Sequence, residues 1–205
     1  PAECVCLGGG EYWTNITFAY TPSGVRVANK ENRVRRAYCQ CPEGREALAE
    51  HLAEQKAERM VQRGRWWDAA EVPLRFQEFT LANFPVKAQG KAALQAVRLW
   101  NDGPETDDEE AYEKWSLARR EGLLLYGPFG TGKTALAVGL LRSAIFDNGD
   151  AGQFITVTKL LDRIRATYNN DRDSVAETEH DVLDRIKRIP FLVLDDLGAE
   201  RVTDW

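Results

Sequence analysis

Eight residues in the second half of this 205-residue chain have the types and spacing of a phosphate-binding loop. Residues 127–134 read GPFGTGKT and match the pattern G-x-x-x-x-G-K-[ST] at every fixed position. Glycines let the backbone curl until several N–H groups point at one phosphate, and the N-terminus of a following helix adds favourable partial charge. The residues expected to contact a nucleotide here are Gly127, Pro128, Phe129, Gly130, Thr131, Gly132, Lys133, Thr134 and Ala135.

The two polar side chains at the end of this loop have different expected roles. Lys133 is expected to bridge the β- and γ-phosphates, whereas the hydroxyl of Thr134 is expected to coordinate Mg²⁺. The structural alternative is a glycine-rich turn that contains a lysine by chance. The flanking sequence argues against this alternative, because LLLY at 123–126 predicts a short buried strand and residues 132–149 predict a helix.

Two adjacent acids form a second candidate region for chemistry. FLVLDD at 191–196 is an apolar run that ends in Asp195 and Asp196, which predicts a buried strand with acids at its carboxyl end, where α/β sheets bind ligands. Asp195 is expected to hold Mg²⁺ together with Thr134, and Asp196 is expected to orient the attacking water. The alternative is a strand followed by an aspartate-rich turn. Lys133, Asp195 and Asp196 are therefore the candidate catalytic residues.

The elements that must position these residues alternate along the second half of the chain. After the loop and its helix, QFITV predicts a strand, KLLDRIRATY a helix that Thr158 can cap, AETEHDVLDRIKRI another helix, and FLVLD a further strand. Strands that alternate with helices predict an α/β fold with a largely parallel sheet. The sequence contains no N-K-x-D segment of the kind that reads guanine, which favours ATP over GTP.

The first 41 residues differ in composition from the rest of the chain. They carry all four cysteines, as the pairs Cys4/Cys6 and Cys39/Cys41, among aromatic and β-branched residues that predict strands around turns such as TPSG. Cysteine pairs that flank a hairpin predict a structural Zn²⁺ held by four thiolates, although C-x-C spacing gives a tighter bite than C-x₂-C. The alternative is a small β module that carries thiols or disulfides.

These features divide the chain into three predicted regions. Residues 1–41 are expected to form a β-rich, zinc-ribbon-like module, residues 42–65 a linker helix rich in Ala, Glu and Lys, and residues 66–205 the nucleotide-binding domain. The module also contains VRVANKENRVRR, whose basic residues lie near aromatic ones, as in segments that bind single-stranded nucleic acid. A solvated hairpin over a small aromatic core is the alternative.

The overall composition excludes some classes of protein. A net charge of −5 at pH 7 excludes a globally basic nucleic-acid-binding protein. The sequence has neither an apolar run of membrane-spanning length nor a recognisable signal peptide, so we expect a cytoplasmic protein that does not engage a membrane. The chain starts at Pro1 rather than Met and reaches Trp205 without a terminating pattern, so we expect a piece of a longer protein.

Three stretches of this sequence resemble the helicase-loader ATPases of the DnaC/DnaI type and the related IstB transposition ATPases, within the AAA+ group. They are FQEFTLANF at 76–84, LLLYGPFGTGKTALAVGLL at 123–141 and FLVLDDLGAERVTDW at 191–205. The last stretch is the most informative, because Asp-Asp-Leu-Gly-Ala-Glu followed by a nearby Trp resembles these loaders in particular. Many AAA+ proteins have Asp-Glu there, so the shorter Asp196 is expected to lie closer to the water or to act through another one.

The resemblance implies an AAA+ P-loop NTPase fold, with Walker A and Walker B residues in the stretches above. It also implies an ATPase that loads a replicative helicase in DNA replication, contacts single-stranded DNA and forms a homo-oligomer when full length. In this class a further strand with a polar sensor residue lies between the strand before the loop and the acid-bearing strand, and a neighbouring subunit supplies an arginine finger. We therefore expect an incomplete sheet and an inactive fragment from these 205 residues.

Three other functions stay open from the sequence. One is an IstB-like transposition ATPase, and another is a nucleotide-gated adaptor for DNA or protein with little turnover. The third is a small-molecule kinase with the same phosphate loop. A kinase predicts an arginine-bearing lid and an acceptor pocket, and the apolar run followed by Asp-Asp matches that class poorly.

Overall fold

The computed structural model of this chain describes residues 9–15, 18–20, 26–28, 34–85, 90–106, 108–168 and 178–198. The chain divides into two units, Pro1–Met60 and Val61–Trp205. None of the helices in the described ranges has both the length and the apolar composition needed to cross a membrane.

Among the described residues of the first unit, four short strands form antiparallel pairs. Strand β1 (Glu11–Asn15) pairs with β4 (Val34–Tyr38), and β2 (Phe18–Tyr20) pairs with β3 (Arg26–Ala28), both in antiparallel orientation. These pairings confirm the strands expected from the aromatic and β-branched composition of the region. The predicted TPSG turn lies outside the described residues.

Helix α1 (Pro42–Ala69) follows the last of these strands and extends beyond residue 65, where the predicted linker helix ends. Pro42 suits the first helical position, because its missing N–H would have no intrahelical partner there. Gly44 lies against the end of β4, since a Cβ at this position would come within 2.1 Å of the carbonyl oxygen of Cys39. The start of the helix is therefore packed closely on the chain that leads into it.

The second unit alternates helices with strands, as the sequence predicts for an α/β fold. Strands β5 and β6 pair in parallel, with Gly152 opposite Phe191 and Thr156 opposite Asp195. Its elements are a 3-10 turn (Leu74–Phe76), α2 (Lys91–Asp102), α3 (Glu109–Glu121), α4 (Lys133–Ser143), a π-helical turn (Ala144–Asn148), β5 (Gly152–Thr156), α5 (Val157–Tyr168), α6 (Glu179–Lys187) and β6 (Phe191–Asp195).

Local sequence explains where several of these helices begin and end. Gly149 has a left-handed backbone (φ 79°) and ends the π-helical turn, which confirms the predicted stop. The hydroxyl of Thr178 accepts a hydrogen bond from the backbone N–H of Asp181 in a capping box at the start of α6. The predicted cap at Thr158 is wrong, because α5 begins at Val157 and Thr158 therefore lies inside the helix. The hydroxyl of Thr156, the residue before the helix, accepts a hydrogen bond from the N–H of Lys159 at 3.3 Å.

Helix α4 lies between two apolar clusters. One cluster joins α4 to both strands and to the end of α1, and its buried members are Ala70, Val72, Val138, Leu141, Ile145, Phe154 and Val193. The other joins α4 to α2, and its buried members are Leu94, Val97, Leu136 and Leu140. Because α4 is packed on both sides, the loop that enters its N-terminus starts from a fixed support.

The segment after α1 is tied to β5 and α5. The carbonyl oxygen of Ala70 accepts a hydrogen bond from the N–H of Phe154 at 2.9 Å. The carboxylate of Glu71 accepts hydrogen bonds from Lys159 and from Nη2 of Arg163, the latter at 2.9 and 3.0 Å. The hydrogen bond from Lys159, reinforced by Arg163, lowers the pKa of Glu71 below its ordinary value. A backbone hydrogen bond to β5 and ion pairs with α5 therefore both hold the segment that follows α1.

The predicted buried strand at 123–126 is wrong. These residues form no strand, and Leu124 and Tyr126 are 68% and 89% exposed. A strand requires backbone hydrogen bonds to a neighbour, and the parallel sheet of the described residues contains only β5 and β6. Apolar side chains alone do not hold a segment in an extended, buried conformation.

Candidate nucleotide-binding site

The predicted phosphate loop leads directly into α4. Gly132 occupies the N-cap position of this helix with φ +89°, and Gly130 has φ +73°. Both values lie in the left-handed region, which glycine adopts without the steric cost that a Cβ adds. The helix begins at Lys133, so its first N–H groups face the loop, as the motif predicts.

The ammonium group of Lys133 lies over the loop. Its Nζ donates to the carbonyl oxygens of Gly127 and Pro128 at 3.0 and 2.9 Å. The hydroxyl of Thr131 donates to the same Pro128 carbonyl at 2.9 Å, which closes the loop. Phosphate oxygens carry formal negative charge and attract an ammonium more strongly than neutral carbonyls do. Lys133 is therefore placed to exchange these carbonyls for phosphate oxygens.

The structure brings together the two residues that the sequence assigns to Mg²⁺. The hydroxyl of Thr134 donates to the carboxylate of Asp195, at 3.0 Å from Oδ2 and 3.2 Å from Oδ1, although 61 positions separate them in the chain. One hydroxyl and one carboxylate, completed by phosphate and water oxygens, match the oxygen ligands that Mg²⁺ takes in nucleotide sites. The donor set on the chain therefore fits Mg²⁺.

Asp196 lies in a different setting from Asp195. It is exposed and has φ +57°, a left-handed backbone that is uncommon for a residue other than glycine. Strained backbone of this kind concentrates at functional sites. The described residues include no hydrogen bond from Asp196 to Lys133 or Thr134, so its predicted role in orienting water stays a prediction.

The remaining predicted contact residues fall into two groups. Ala135 is buried in the first turn of α4, at 6% exposure, and any contact with a nucleotide would run through its backbone. Phe129 is fully exposed at the tip of the loop, with its ring centroid 6.0 Å from Nζ of Lys133. Sequence reasoning missed one aromatic neighbour of the loop, Phe84, whose ring lies against Gly132. The signal available was only its place in the FQEFTLANF stretch.

The predicted zinc site is only partly covered by the described residues. Cys39 and Cys41 lie between β4 and α1, and Sγ of Cys41 accepts a hydrogen bond from the N–H of Gly44 at 3.3 Å. Cys4 and Cys6 lie outside the described residues. Within the described ranges, no three His, Cys, Asp or Glu residues are grouped so that they could hold a metal ion. The four-thiolate site therefore stays a prediction.

The fold and the site define the class of this part of the chain. A phosphate loop at the N-terminus of a helix, beside a parallel strand that ends in a carboxylate, is the arrangement of a nucleotide-binding α/β protein. Residues 114–203 match the model of the family described as IstB-like ATP binding protein. This match and the similarity to a helicase loader reported below confirm the resemblance to the DnaC/DnaI and IstB group of AAA+ proteins and support ATP as the nucleotide.

A curated relative is similar over part of the chain. It is the "Replicative helicase loader DnaI" of Bacillus subtilis (strain 168), with 30% identity over 100 residues. The matched stretch covers 49% of this chain and 29% of the relative. This chain thus corresponds to less than a third of the relative's length.

Proposed function

We propose that this chain contains the ATP-binding part of an AAA+ ATPase that loads a replicative helicase during DNA replication. The observation that carries the nucleotide chemistry is the contact between Thr134 and Asp195 beside a complete phosphate loop. The similarity to a helicase loader of Bacillus subtilis supports the biological role. We also propose a cytoplasmic location for this protein.

Each site residue has a definite part in the proposed reaction. Lys133 would leave the Gly127 and Pro128 carbonyls and contact the β- and γ-phosphates, while the backbone N–H groups of the loop surround the β-phosphate. Thr134 and Asp195 would hold Mg²⁺, which when bound offsets the charge of the phosphoryl oxygens. Asp196 would orient the water that attacks the γ-phosphorus. The products are ADP and inorganic phosphate.

The proposed partners follow from the same role. A loader contacts the replicative helicase and the single-stranded DNA on which the helicase is placed. We propose a homo-oligomer for the full-length protein, because AAA+ sites take an arginine from the neighbouring subunit. Such an arginine accelerates phosphoryl transfer by roughly 10³–10⁵-fold.

A structural Zn²⁺ is the finer proposal for the first unit. Cys4, Cys6, Cys39 and Cys41 would supply four thiolates, and the close packing of Cys41 on Gly44 ties one of them to the start of α1. Small modules of this kind gain their folding free energy from the metal. Chelation of the purified protein is expected to unfold the β-rich region. Metal analysis that finds no zinc, with four titratable thiols in native buffer, would reject the site.

Two alternative functions use the same nucleotide site. The name of the matched family refers to IstB, and this favours an IstB-like transposition ATPase as the second candidate. A nucleotide-gated adaptor with little turnover is the other. Binding of the full-length protein to a replicative helicase, measured by co-purification with and without ATP, separates the loader from the transposition ATPase, and steady-state ATP turnover of the full-length protein separates it from the adaptor. A loader is expected to bind the helicase, and a transposition ATPase is not.

The nucleotide assignment is tested by calorimetric titration with ATP and Mg²⁺. Lys133→Ala is expected to weaken binding by about tenfold or more, because a hydrogen bond to a charged group contributes roughly 1.5–3 kcal/mol. Lys114→Ala is the matched control, since Lys114 is 73% exposed on α3 and pairs with Glu110 of the same helix. Equal affinities for the two variants and the parent chain would reject the phosphate site.

A further inference from the structure

The segment before α2 contains a turn that is locked by its own side chains. The N–H of Thr80 donates to Oδ1 of Asn83 at 2.7 Å, and the N–H of Asn83 donates to the hydroxyl of Thr80 at 3.0 Å. The amide Nδ2 of Asn83 donates to the carbonyl oxygen of Glu78 at 2.9 Å. Reciprocal side-chain to backbone hydrogen bonds of this type fix a turn in one conformation. Residues 80–84 are called the locked turn below.

The locked turn lies along α4 and contacts it at two glycines. A Cβ on Gly139 would lie 3.1 Å from Cδ2 of Leu81 and 3.2 Å from its backbone nitrogen. A Cβ on Gly132 would lie 2.7 Å from Cζ of Phe84. Positions seven residues apart fall on the same face of a helix after two turns. The locked turn therefore lies along one face of α4 from Gly139 in its middle to the N-cap residue Gly132.

The ring of Phe84 is itself held in place. It packs against the buried cluster formed by Leu94, Val97, Leu136 and Leu140. Its ring centroid lies 6.5 Å from that of Phe79, and Nη2 of Arg98 donates to the carbonyl oxygen of Leu81 at 2.6 Å. A ring supported on several sides cannot move aside without disrupting that packing.

The contact between Phe84 and Gly132 bears on phosphate binding, because Gly132 orients the start of α4. Gly132 has φ +89° and immediately precedes Lys133, so its conformation sets the direction of the first N–H groups of α4. Glycine populates many backbone conformations and loses more entropy than other residues when one is selected. A rigid ring against its Cα removes part of this freedom before a ligand arrives.

We infer that Phe84 is a positioning residue for phosphate binding, acting through the backbone of Gly132. The inference rests on the proposed nucleotide site and adds a residue to it. Support of this kind holds binding groups near their productive geometry, so that less ordering free energy is lost on binding. The part of the nucleotide that depends on this support is the β-phosphate and the γ-phosphate, which the loop surrounds. The adenosine part does not depend on it.

The test compares the affinities of ATP, ADP and AMP, because AMP lacks the phosphates that the loop holds. Phe84→Ala is expected to raise the Kd of ATP and ADP by about tenfold, since displacing a positioned group by ~1 Å can cost up to roughly 10²-fold. The Kd of AMP is expected to change by less than about twofold. Phe84→Leu retains most of the apolar volume, so about a threefold rise is expected, and it tests the inference if the alanine variant does not fold.

Phe76→Ala is the matched control, because Phe76 packs on the other apolar cluster and not on the loop. Urea unfolding without nucleotide is expected to show lower stability for Phe76→Ala and Phe84→Ala, whereas only Phe84→Ala changes the ratio of ADP to AMP affinity. An equal loss of affinity for all three nucleotides, or no loss, would show that Phe84 acts only as a core residue. If the parent chain itself binds no ATP, the proposed function fails and the inference fails with it.

Discussion

The two ends of α4 use polar groups in opposite ways. At the N-terminal end, Lys133 donates to two loop carbonyls, and Thr134 donates to the carboxylate of Asp195. At the C-terminal end, Ser143 lies in a buried hydrogen-bond chain, receiving from Nδ2 of Asn101 at 3.0 Å and donating to Asp147 at 2.7 Å. At the N-terminal end, a bound phosphate could replace the carbonyls that Lys133 contacts. At the C-terminal end, Ser143 is hydrogen-bonded to two side chains of the protein.

Aromatic rings also differ between the two ends of α4, being in contact with an arginine at the C-terminal end and exposed at the N-terminal end. The guanidinium of Arg142, near the C-terminal end, stacks 5.1 Å from the ring centroids of both Trp67 and Phe146 and donates to the carbonyl oxygen of Gln77 at 2.9 Å. Phe129, near the N-terminal end, is fully exposed. A helix anchored firmly at one end can present its other end to a ligand without moving as a whole. The comparison predicts that stability and nucleotide affinity can be changed separately.

The largest expected effect is that of Gly132→Ala, which should damage both properties. Left-handed backbone costs a residue with a Cβ roughly 1–2 kcal/mol, and the methyl group would also collide with Phe84 at 2.7 Å. We expect a loss of unfolding free energy of about 3 kcal/mol and at least tenfold weaker ATP binding. Gly122→Ala is the control, since Gly122 has φ +85° but no atom within 4 Å of its Cβ position. Gly122→Ala should lower the free energy of unfolding without weakening ATP binding.

Arg142→Ala should affect stability alone. It removes two ring contacts and one hydrogen bond to a backbone carbonyl, together worth about 2 kcal/mol of unfolding free energy. Urea unfolding measures this loss, and calorimetry should show ATP affinity within about twofold of the parent. A large loss of affinity would mean that the two ends of α4 are coupled, which contradicts the comparison.

Ser143→Ala should have a smaller effect of the same kind. The substitution removes the oxygen that accepts from Asn101 and the hydroxyl that donates to Asp147, at a site that is 9% exposed. The expected loss is about 1.5 kcal/mol, because a buried donor then lacks its partner. Thr167→Ala is a matched control, since it removes a hydroxyl that donates within its own helix, to the carbonyl oxygen of Ile164. Equal losses for the two variants would show that the buried chain adds little.

The smallest expected effect concerns pH and the carboxylate of Glu71. Because its pKa is lowered in the folded state, chiefly by the hydrogen bond from Lys159, its contribution to stability is present above the unfolded pKa, about 4.3 for a glutamate. The contribution is lost as the pH falls through the lowered folded pKa. Glu71→Gln should therefore reduce stability at pH 7 and flatten the acid limb of the stability profile. Glu110→Gln, which removes an exposed carboxylate that pairs with Lys114 on the same helix, is the control for the loss of a surface charge.

Much of the nucleotide site could be predicted from residue order. The phosphate loop, the helix that follows it and the acid-bearing strand are local patterns, since each depends on a few neighbouring residues and their backbone preferences. The strand predicted at 123–126 does not form, because a strand depends on a hydrogen-bonding partner elsewhere in the chain, which local sequence does not supply. The helix cap at Thr156 rather than Thr158 shows a smaller limit, since two threonines two residues apart present the same local signal.

The sequence by itself determined the chemistry available to this protein: a lysine and a threonine after a glycine loop, and two aspartates after an apolar run. Tertiary structure decided which of these meet. Packing of α4 against β5 and β6 places Thr134 beside Asp195, whereas Asp196 is exposed and has a left-handed backbone. It also decided that Phe84 supports Gly132, across 48 positions that no periodicity connects. Contacts between distant segments arise from the packing of whole elements, and no short stretch of sequence determines that packing.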